Sequence, residues 1–409
     1  MGVLADDFSG AGDVALAFRA AGFSAEIWAP VGGPPVPPRT RVWIIDTESR
    51  GLTPRAADRT VRRGLATLAP WKPDFIFKKI DSTLRGPVGA ELAAFIDVLR
   101  PVGPVPFVPA FPKMKRTTVG GRHFVGGVPL NKTSFAKDPR HPVETNVVAR
   151  ILSNTYKKGF DCQRNLTGKT GFSADPDKKV FNRRTLTEET SFSPDSCQSG
   201  FNQQNVPARE RVWGPDVGNE REMAGVARRV LASGRVAVGS AGFAAALARA
   251  MGGGQGLRNK EPGENQKPFS FGTTNSARVG VVAGSAHPLS ERQLNRLKNA
   301  LPHPNVFVVE RPLRREVPGT VLRRLVSAAR VLEKAHGIRR WVVTGGETGF
   351  ALARIWNEPR WRVVGSIEPG VPLCRSLGQR ARWLVLKPGG FGSTEVFLKS
   401  VRRLLRKDD

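Results

Sequence analysis

Asp6 and Asp7 stand directly after a short apolar run, Val3-Leu4-Ala5, and just before Gly10-x-Gly12-x-x-Ala15. A strand that turns through small residues into a helix is the layout of a dinucleotide fingerprint. Two carboxylates there would face an anionic pyrophosphate, so they suit a hydroxyl-rich substrate or a cation better. A tight turn that simply needs small residues accounts for the stretch equally well. Denser is Lys78-Lys79-Ile80-Asp81-Ser82-Thr83-Leu84-Arg85-Gly86, in which Lys79 and Arg85 give fixed positive charge and Asp81 a hydrogen-bond acceptor. Arginine grips a carboxylate with two parallel hydrogen bonds, which suits an acid substrate. The plainer alternative is a solvated turn with an Asp or Ser cap. Later in the chain three Gly-rich turns each follow an apolar run: Gly284-Ser285-Ala286-His287, Gly345-Gly346-Glu347-Thr348 and Lys387-Pro388-Gly389-Gly390-Phe391-Gly392. Glycine lets backbone N–H groups approach phosphate oxygens, and helix N-termini add partial positive charge. Three such turns in one half of the chain point to a nucleotide site.

Other chemistries fail on spacing. Gly168-Lys169-Thr170 resembles the end of a P-loop, but Gln163 stands where its first glycine should be. There is no Gly-x-Ser-x-Gly elbow and no His/Cys/Asp cluster at metal-ligand spacing, so no protein-borne metal site is expected. His287 alone reads as a capping or packing histidine.

The elements that must carry these groups alternate. Val3-Leu4-Ala5 ends a strand, and Val14, Ala15, Phe18 and Ala21 give Gly10–Ala21 helical spacing. Ala25–Ala29 and Val42–Ile45 read as strands separated by a Gly/Pro-rich loop at Gly32–Pro38, with a third strand at Asp74–Phe77. Arg55–Leu68 and Val88–Leu99 read as helices. Such alternation predicts an α/β domain with a largely parallel sheet, whose ligands collect at the carboxyl ends of the strands. The clusters Asp6-Asp7, Asp46 to Arg50 and Lys78 to Arg85 all fall at such ends. The Phe107–Pro112 and Gly120–Gly127 stretches, rich in Gly and Pro, read as site walls or plain connections. Residues from about 155 to 210 are polar without a 3.6 or 2.0 period, and predict a long loop or disordered insert. Strand signals return at Val236–Val238, Val279–Val282, Val306–Val309, Trp341–Val343 and Trp383–Leu386. Helical signals lie at Glu220–Leu231, Gly242–Met251, Ser290–Ala300, Thr320–His336 and Thr348–Trp356. The expected organisation is a substrate domain over 1–150, an irregular polar insert over 151–212, and a remainder of the first lobe or connector over 213–252. A linker over 253–276 and a nucleotide-binding domain over 277–409 complete it. Each of the two lobes has a largely parallel sheet flanked by helices, with the active site in the cleft between them.

Composition narrows the class. A chain of 409 residues with 40% apolar and 24% charged residues can bury a large core. Lys and Arg outnumber Asp and Glu by 64 to 35, a net charge of +29, which favours an anionic partner. The basic residues are spread along the chain and Tyr156 is the sole tyrosine, so nucleic acid is not the expected partner despite the charge. Three distant cysteines exclude a disulfide framework. The opening residues lack the basic flank and apolar stretch of a signal peptide, and no uncharged stretch is long enough for a bilayer. A cytoplasmic protein without membrane contact is expected.

Leu4-Ala5-Asp6-Asp7-Phe8-Ser9-Gly10-Ala11-Gly12-Asp13 resembles the amino-terminal signature of the four-carbon acid sugar kinases. Lys78–Gly86, Val108–Pro112 with Arg116-Thr117-Thr118, and Gly126–Leu130 are similar to that family's later substrate-domain motifs. Gly239–Gly242, Gly284-Ser285, Gly345–Thr348, Pro369–Pro372 and Lys387–Gly392 resemble its nucleotide-domain motifs, in the family's order. The likeness covers about 1–150 and 213–405. Gly390 stands where the pattern carries Asn, and 155–210 lack the family's α/β character. The resemblance implies an enzyme, an ATP-dependent phosphotransferase acting on the terminal hydroxyl of threonate, erythronate or 3-oxo-tetronate, with Mg²⁺. It implies substrate contacts from Asp7, Ser49, Arg50, Lys79, Asp81 and Arg85, with Asp7 or Asp81 as the base. Ser285, Gly345, Gly346, Glu347, Thr348 and Gly389 would hold ATP. A homodimer is one assembly open to it. The rival expectations are a decayed homologue that binds ligands without turnover, and a basic nucleic-acid binder.

Overall fold

The computed structural model describes residues 1–29, 40–138, 141–154, 212–252, 277–285, 287–312 and 317–406. The expected Gly32–Pro38 loop, the polar stretch at 155–210 and the 253–276 linker lie outside the described residues. Among the described residues thirteen strands form one sheet. Its first set is parallel, in the order β2 (Ala25–Trp28), β3 (Val42–Asp46), β1 (Gly2–Ala5), β4 (Ile76–Lys79), β10 (Val236–Gly239), β5 (Val105–Val108) and β9 (Val212–Trp213). A second parallel set runs β12 (Val306–Glu310), β11 (Val279–Ala283), β13 (Arg340–Thr344) and β16 (Trp383–Lys387). Between them lie β14 (Arg360–Glu368) and β15 (Val371–Ser376), both antiparallel to their neighbours. A small hairpin sheet of β6 (Arg116–Val119), β7 (Arg122–Val125) and β8 (Val128–Pro129) forms from the stretch expected to be wall or connection.

The α/β class is as the alternation predicts, but the two parallel sets are segments of one sheet. The join explains why. Glu26 on β2 is buried and takes Arg360 and Arg362 of β14, both at 2.7 Å. A strand that places arginines on alternate positions reads as polar in sequence, yet here the neighbour supplies the counter-charge that lets it pair.

Helices α1 (Phe8–Ala20), α2 (Pro54–Leu68), α3 (Val88–Leu99), α4 (Val148–Asn154), α5 (Glu220–Ser233), α6 (Ala241–Met251), α7 (Pro288–Ala300), α8 (Pro318–His336), α9 (Gly346–Ile355) and α10 (Val396–Leu405) cover both faces. Alternation along β1 shows the sidedness: Val3 and Ala5 join the core beneath α1, α5, α6, α8 and α9, whereas Leu4 joins that beneath α2, α3 and α4. Strands buried on both faces are near-continuously apolar, which is why they were visible in sequence. Local caps fix the helix starts. Asp7 accepts the Gly10 N–H and begins α1 at Phe8, and Thr53 accepts the Ala56 N–H ahead of Pro54.

Helix α1 crosses the join. Phe8 meets Trp361 of β14 edge-on with ring centroids 6.2 Å apart, and a Cβ added at Gly12 would lie 2.8 Å from Pro372 of β15. One apolar core therefore runs beneath both strand sets. Among the described residues, no helix is long and apolar enough to cross a membrane.

Candidate active site

Parallel register brings the polar clusters to one edge. Ala5 pairs with Asp46 and with Lys79, and Lys79 with Gly239, so Asp6-Asp7, Asp46–Arg50 and Lys79–Arg85 leave adjacent strands at the same level. Arg50 is the tie among them. Its Nε donates to Asp6 at 2.8 Å, and its two terminal nitrogens donate to the two oxygens of Asp7 at 2.8 and 2.7 Å. Asp6 also lies 3.5 Å from Lys79 Nζ. Burial alone would raise Asp6, but the Arg50 and Lys79 cations outweigh it and bring its pKa to about 2. Asp7 accepts further bonds from Ser9 Oγ and from the Gly10 N–H. Glu48, in a left-handed turn with φ 45°, accepts the Phe8 N–H at 2.9 Å; burial and the nearby Asp7 push its pKa to about 8.

A second cluster adjoins the first. Asp81 accepts Thr83 Oγ1 and Arg85 Nε at 2.5 and 2.6 Å. Despite its burial, the Arg85 and Arg50 cations hold its carboxyl well below the usual range. Arg85 also reaches Asp138 at 3.3 Å, and Arg116 of β6 donates to Ser82. Both guanidinium groups lie over Phe135, at 5.4 and 5.9 Å from its centroid, while the buried Nε of Arg116 has no hydrogen-bond partner among the described residues. His123 bridges Thr118 and the Ser82 carbonyl at 3.0 and 2.8 Å, and burial lowers its pKa to about 4, so it stays neutral and fixes the hairpin.

At the matching edge of the second set, Ala283 pairs with Thr344 and Thr344 with Lys387. The three glycine turns therefore emerge side by side. A Cβ at Gly389 would lie 2.5 Å from Ser285 Oγ, and Gly345 holds φ 97°, a left-handed value that favours glycine. Lys387 folds back on its own turn and donates to the Pro388 and Gly389 carbonyls at 2.9 and 2.7 Å; burial lowers its pKa to about 8. Gln293 of α7 donates to three further carbonyls, those of Phe391, Gly392 and Ser393. His287 accepts the Leu289 N–H and caps α7, as its sequence position suggested.

The two edges meet. A Cβ added at Gly346 would lie 2.7 Å from Asp7 Oδ2, 2.9 Å from Ser9 Oγ and 3.1 Å from the Ser9 nitrogen. The first turn of α9 thus rests on the carboxylate that caps α1.

Comparison with known proteins gives this arrangement a family. A profile described as a sugar-binding N-terminal domain matches residues 1–247, and one described as a nucleotide-binding C-terminal domain matches 309–397. The chain belongs to the four-carbon acid sugar kinase family. It is 35% identical to a D-erythronate kinase of Heliobacterium modesticaldum over 157 residues, which is 38% of this chain and only 36% of that relative. A D-threonate kinase of Bordetella bronchiseptica is 26% identical over 432 residues, covering 99% of this chain and 97% of the relative. The crystal structure of Haemophilus influenzae protein HI1011 shares the fold, with a TM-score of 0.67 at 18% identity over 99% of this chain and 100% of that one.

Within this family member, Asp7, Arg50, Lys79, Asp81 and Arg85 gather at one strand edge, and Ser285, Gly345, Gly346, Thr348 and Gly389 at the other. Glu347 is exposed at the first turn of α9. Ser49 is fully buried and gives its hydroxyl to Glu91, which lies 3.3 Å from the buried Lys78. Asp13 and Arg116 stand within the sequence motifs, but their residue types and spacing there point to no role for either. Asp13 follows Ser9 by four residues and Gly10 by three, so helical spacing alone places it on their face of α1. For Arg116 the sequence carried no comparable signal, because its setting depends on the hairpin folding back to Ser82.

Proposed function

We propose that the protein is a kinase that transfers the γ-phosphoryl group of ATP to the terminal hydroxyl of a four-carbon sugar acid. The contact of Gly346 with Asp7 and Ser9 carries this reading. It sets a glycine turn suited to phosphates directly against a carboxylate edge suited to hydroxyl groups, as in-line phosphoryl transfer requires. In this proposal residues 1–150 supply the sugar-acid side and 277–409 the nucleotide side, with the reaction between them. Arg85 and Arg116 are the natural grip for the substrate carboxylate, since they flank one aromatic ring and Arg116 Nε is unpartnered among the described residues. Arg50 has its whole fork committed to Asp6 and Asp7, so its part is to brace the edge. The backbone amides of the three glycine turns would hold the phosphates. A cavity of about 600 Å³, lined by Val309, Arg311, Arg324 and Leu325, suits the nucleoside. It opens beside the turn, because Leu325 lies 3.3 Å from a Cβ placed on Gly284.

Among the described residues no three His, Cys, Asp or Glu side chains group to hold a metal. Mg²⁺ is usually carried by substrate phosphates with one or two carboxylates. Glu347 is the exposed carboxylate at the phosphate turn and would complete its shell. Bound there, the ion would neutralise phosphate charge.

The test is ADP release from Mg²⁺-ATP with D- and L-threonate, D-erythronate and their oxo forms. Turnover with one acid supports the kinase and names its substrate. Silence across the panel, with ATP still bound by calorimetry, would replace it with a binding-only protein.

A further inference from the structure

We propose that Asp13 is the general base that takes the proton of the attacking sugar hydroxyl, a role that rests on the kinase reading above. A base needs an open lone pair and enough basicity to take a proton, and each of the two carboxylates singled out from the sequence lacks one of these. Both oxygens of Asp7 are held by the Arg50 fork, and each accepts one more bond, from Gly10 N–H and from Ser9 Oγ. Asp81 is held by Arg85 and Thr83 and kept well below the usual carboxylate range, which makes it a weak base. Asp13 differs. Its Oδ1 is sealed from solvent and has no hydrogen-bond partner among the described residues.

Its position fits the role. Asp13 lies about one turn beyond Gly10 on α1, and a Cβ on Gly10 would fall 2.5 Å from Asp7 Oδ1 and 2.7 Å from Lys79 Nζ. The neighbouring Gly12 turns instead toward Pro372, across the join. The charges acting on Asp13 are Lys79 from β4, Asp7 from the helix cap, Arg50 from the loop after β3 and Arg116 from β6. Glu347 of α9 acts on Glu48. Asp13 thus feels the charges of the groups that would hold a sugar acid. Burial first, then Asp7, raises its pKa to about 7 against the pull of the cations, the value at which a base works best near neutrality. In the step, the hydroxyl proton passes to the Asp13 carboxylate, which is only partly buried, and the freed oxygen bonds to the γ-phosphorus. The bond from that phosphorus to the bridging oxygen breaks, its electron pair leaving with ADP, and Asp13 then returns the proton to water.

The experiment compares wild type, Asp13→Asn and Asp13→Glu on the panel acid that turns over, from pH 5.5 to 9. Loss of the base should cut kcat by roughly 10²–10³-fold. ATP affinity by calorimetry and the substrate KM should stay within about threefold, the cost of a missing proton acceptor falling on the chemical step. Wild type should gain rate with pH up to a limb near 7 and then level off. D13N should lack that limb, and D13E should keep one, shifted, because it retains a carboxyl. Asn turning over within a few-fold of wild type, or a limb that survives in D13N or disappears in D13E, would overturn the assignment to Asp13 alone. Wild type silent on every acid would overturn the kinase reading and this role together.

Discussion

Gly346→Ala probes the contact on which the proposed chemistry depends. The new methyl carbon would sit 2.7 Å from Asp7 Oδ2, 2.9 Å from Ser9 Oγ and 3.1 Å from the Ser9 nitrogen. None of these can swing away. Asp7 Oδ2 is gripped by Arg50 at 2.8 Å, Ser9 Oγ is bonded to the same carboxylate, and the nitrogen is main chain in α1. The strain must go into parting α9 from α1, and overpacking of this kind costs about 1–3 kcal/mol. Reacting groups moved by roughly 1 Å lose on the order of 10²-fold in rate. Kcat for the sugar acid should therefore fall about a hundredfold, while ATP binding by calorimetry changes far less. Gly225→Ala on α5 is the control, since nothing lies within 4 Å of its added Cβ; it should leave kcat alone. A G346A enzyme with wild-type kcat would refute the claim that the two edges react across this contact.

Arg116→Ala should raise the KM for the sugar acid roughly 10–100-fold, the worth of a charged hydrogen bond, and leave the ATP dissociation constant unchanged. Equal loss of both would show that Arg116 holds the fold and not the substrate. Glu91→Ala would strand the fully buried Lys78 ammonium, so denaturant unfolding should show a loss of about 3–5 kcal/mol. Lys387→Met removes the bonds to the Pro388 and Gly389 carbonyls and should weaken ATP roughly tenfold with the sugar-acid KM kept. Burial lowers Lys387 from 10.5 to about 8, so the folded state gives up that proton more readily than the unfolded chain. The stability of wild type relative to K387M should accordingly rise as pH climbs from about 8 to 10.5, and a flat difference would contradict the shift.

Much of the architecture was legible because it is local. Strands buried on both faces, such as Val42–Asp46 and Val279–Ala283, stand out as apolar runs, and the turn after each carries its own small or polar residues. The sequence therefore determined which segments alternate, where eight of the helices start to within two residues, and that carboxylates end one group of strands and glycines another; helices α4 and α10 were not expected from it. It did not reveal β14 and β15, since Arg360 and Arg362 look solvent-facing until Glu26, more than 300 residues away, is set opposite them. Nor could it tell the arginines apart. Arg50 and Arg116 are the same side chain, and only the fold decides that one has every nitrogen bonded while the other has, among the described residues, no partner for its Nε. The same holds for the carboxylates: Asp7, Asp13 and Asp81 differ in the partners packed around them. Only the tertiary structure placed Gly346 against Asp7, because contact between distant strand ends comes from sheet order and register, which no neighbour in the chain encodes.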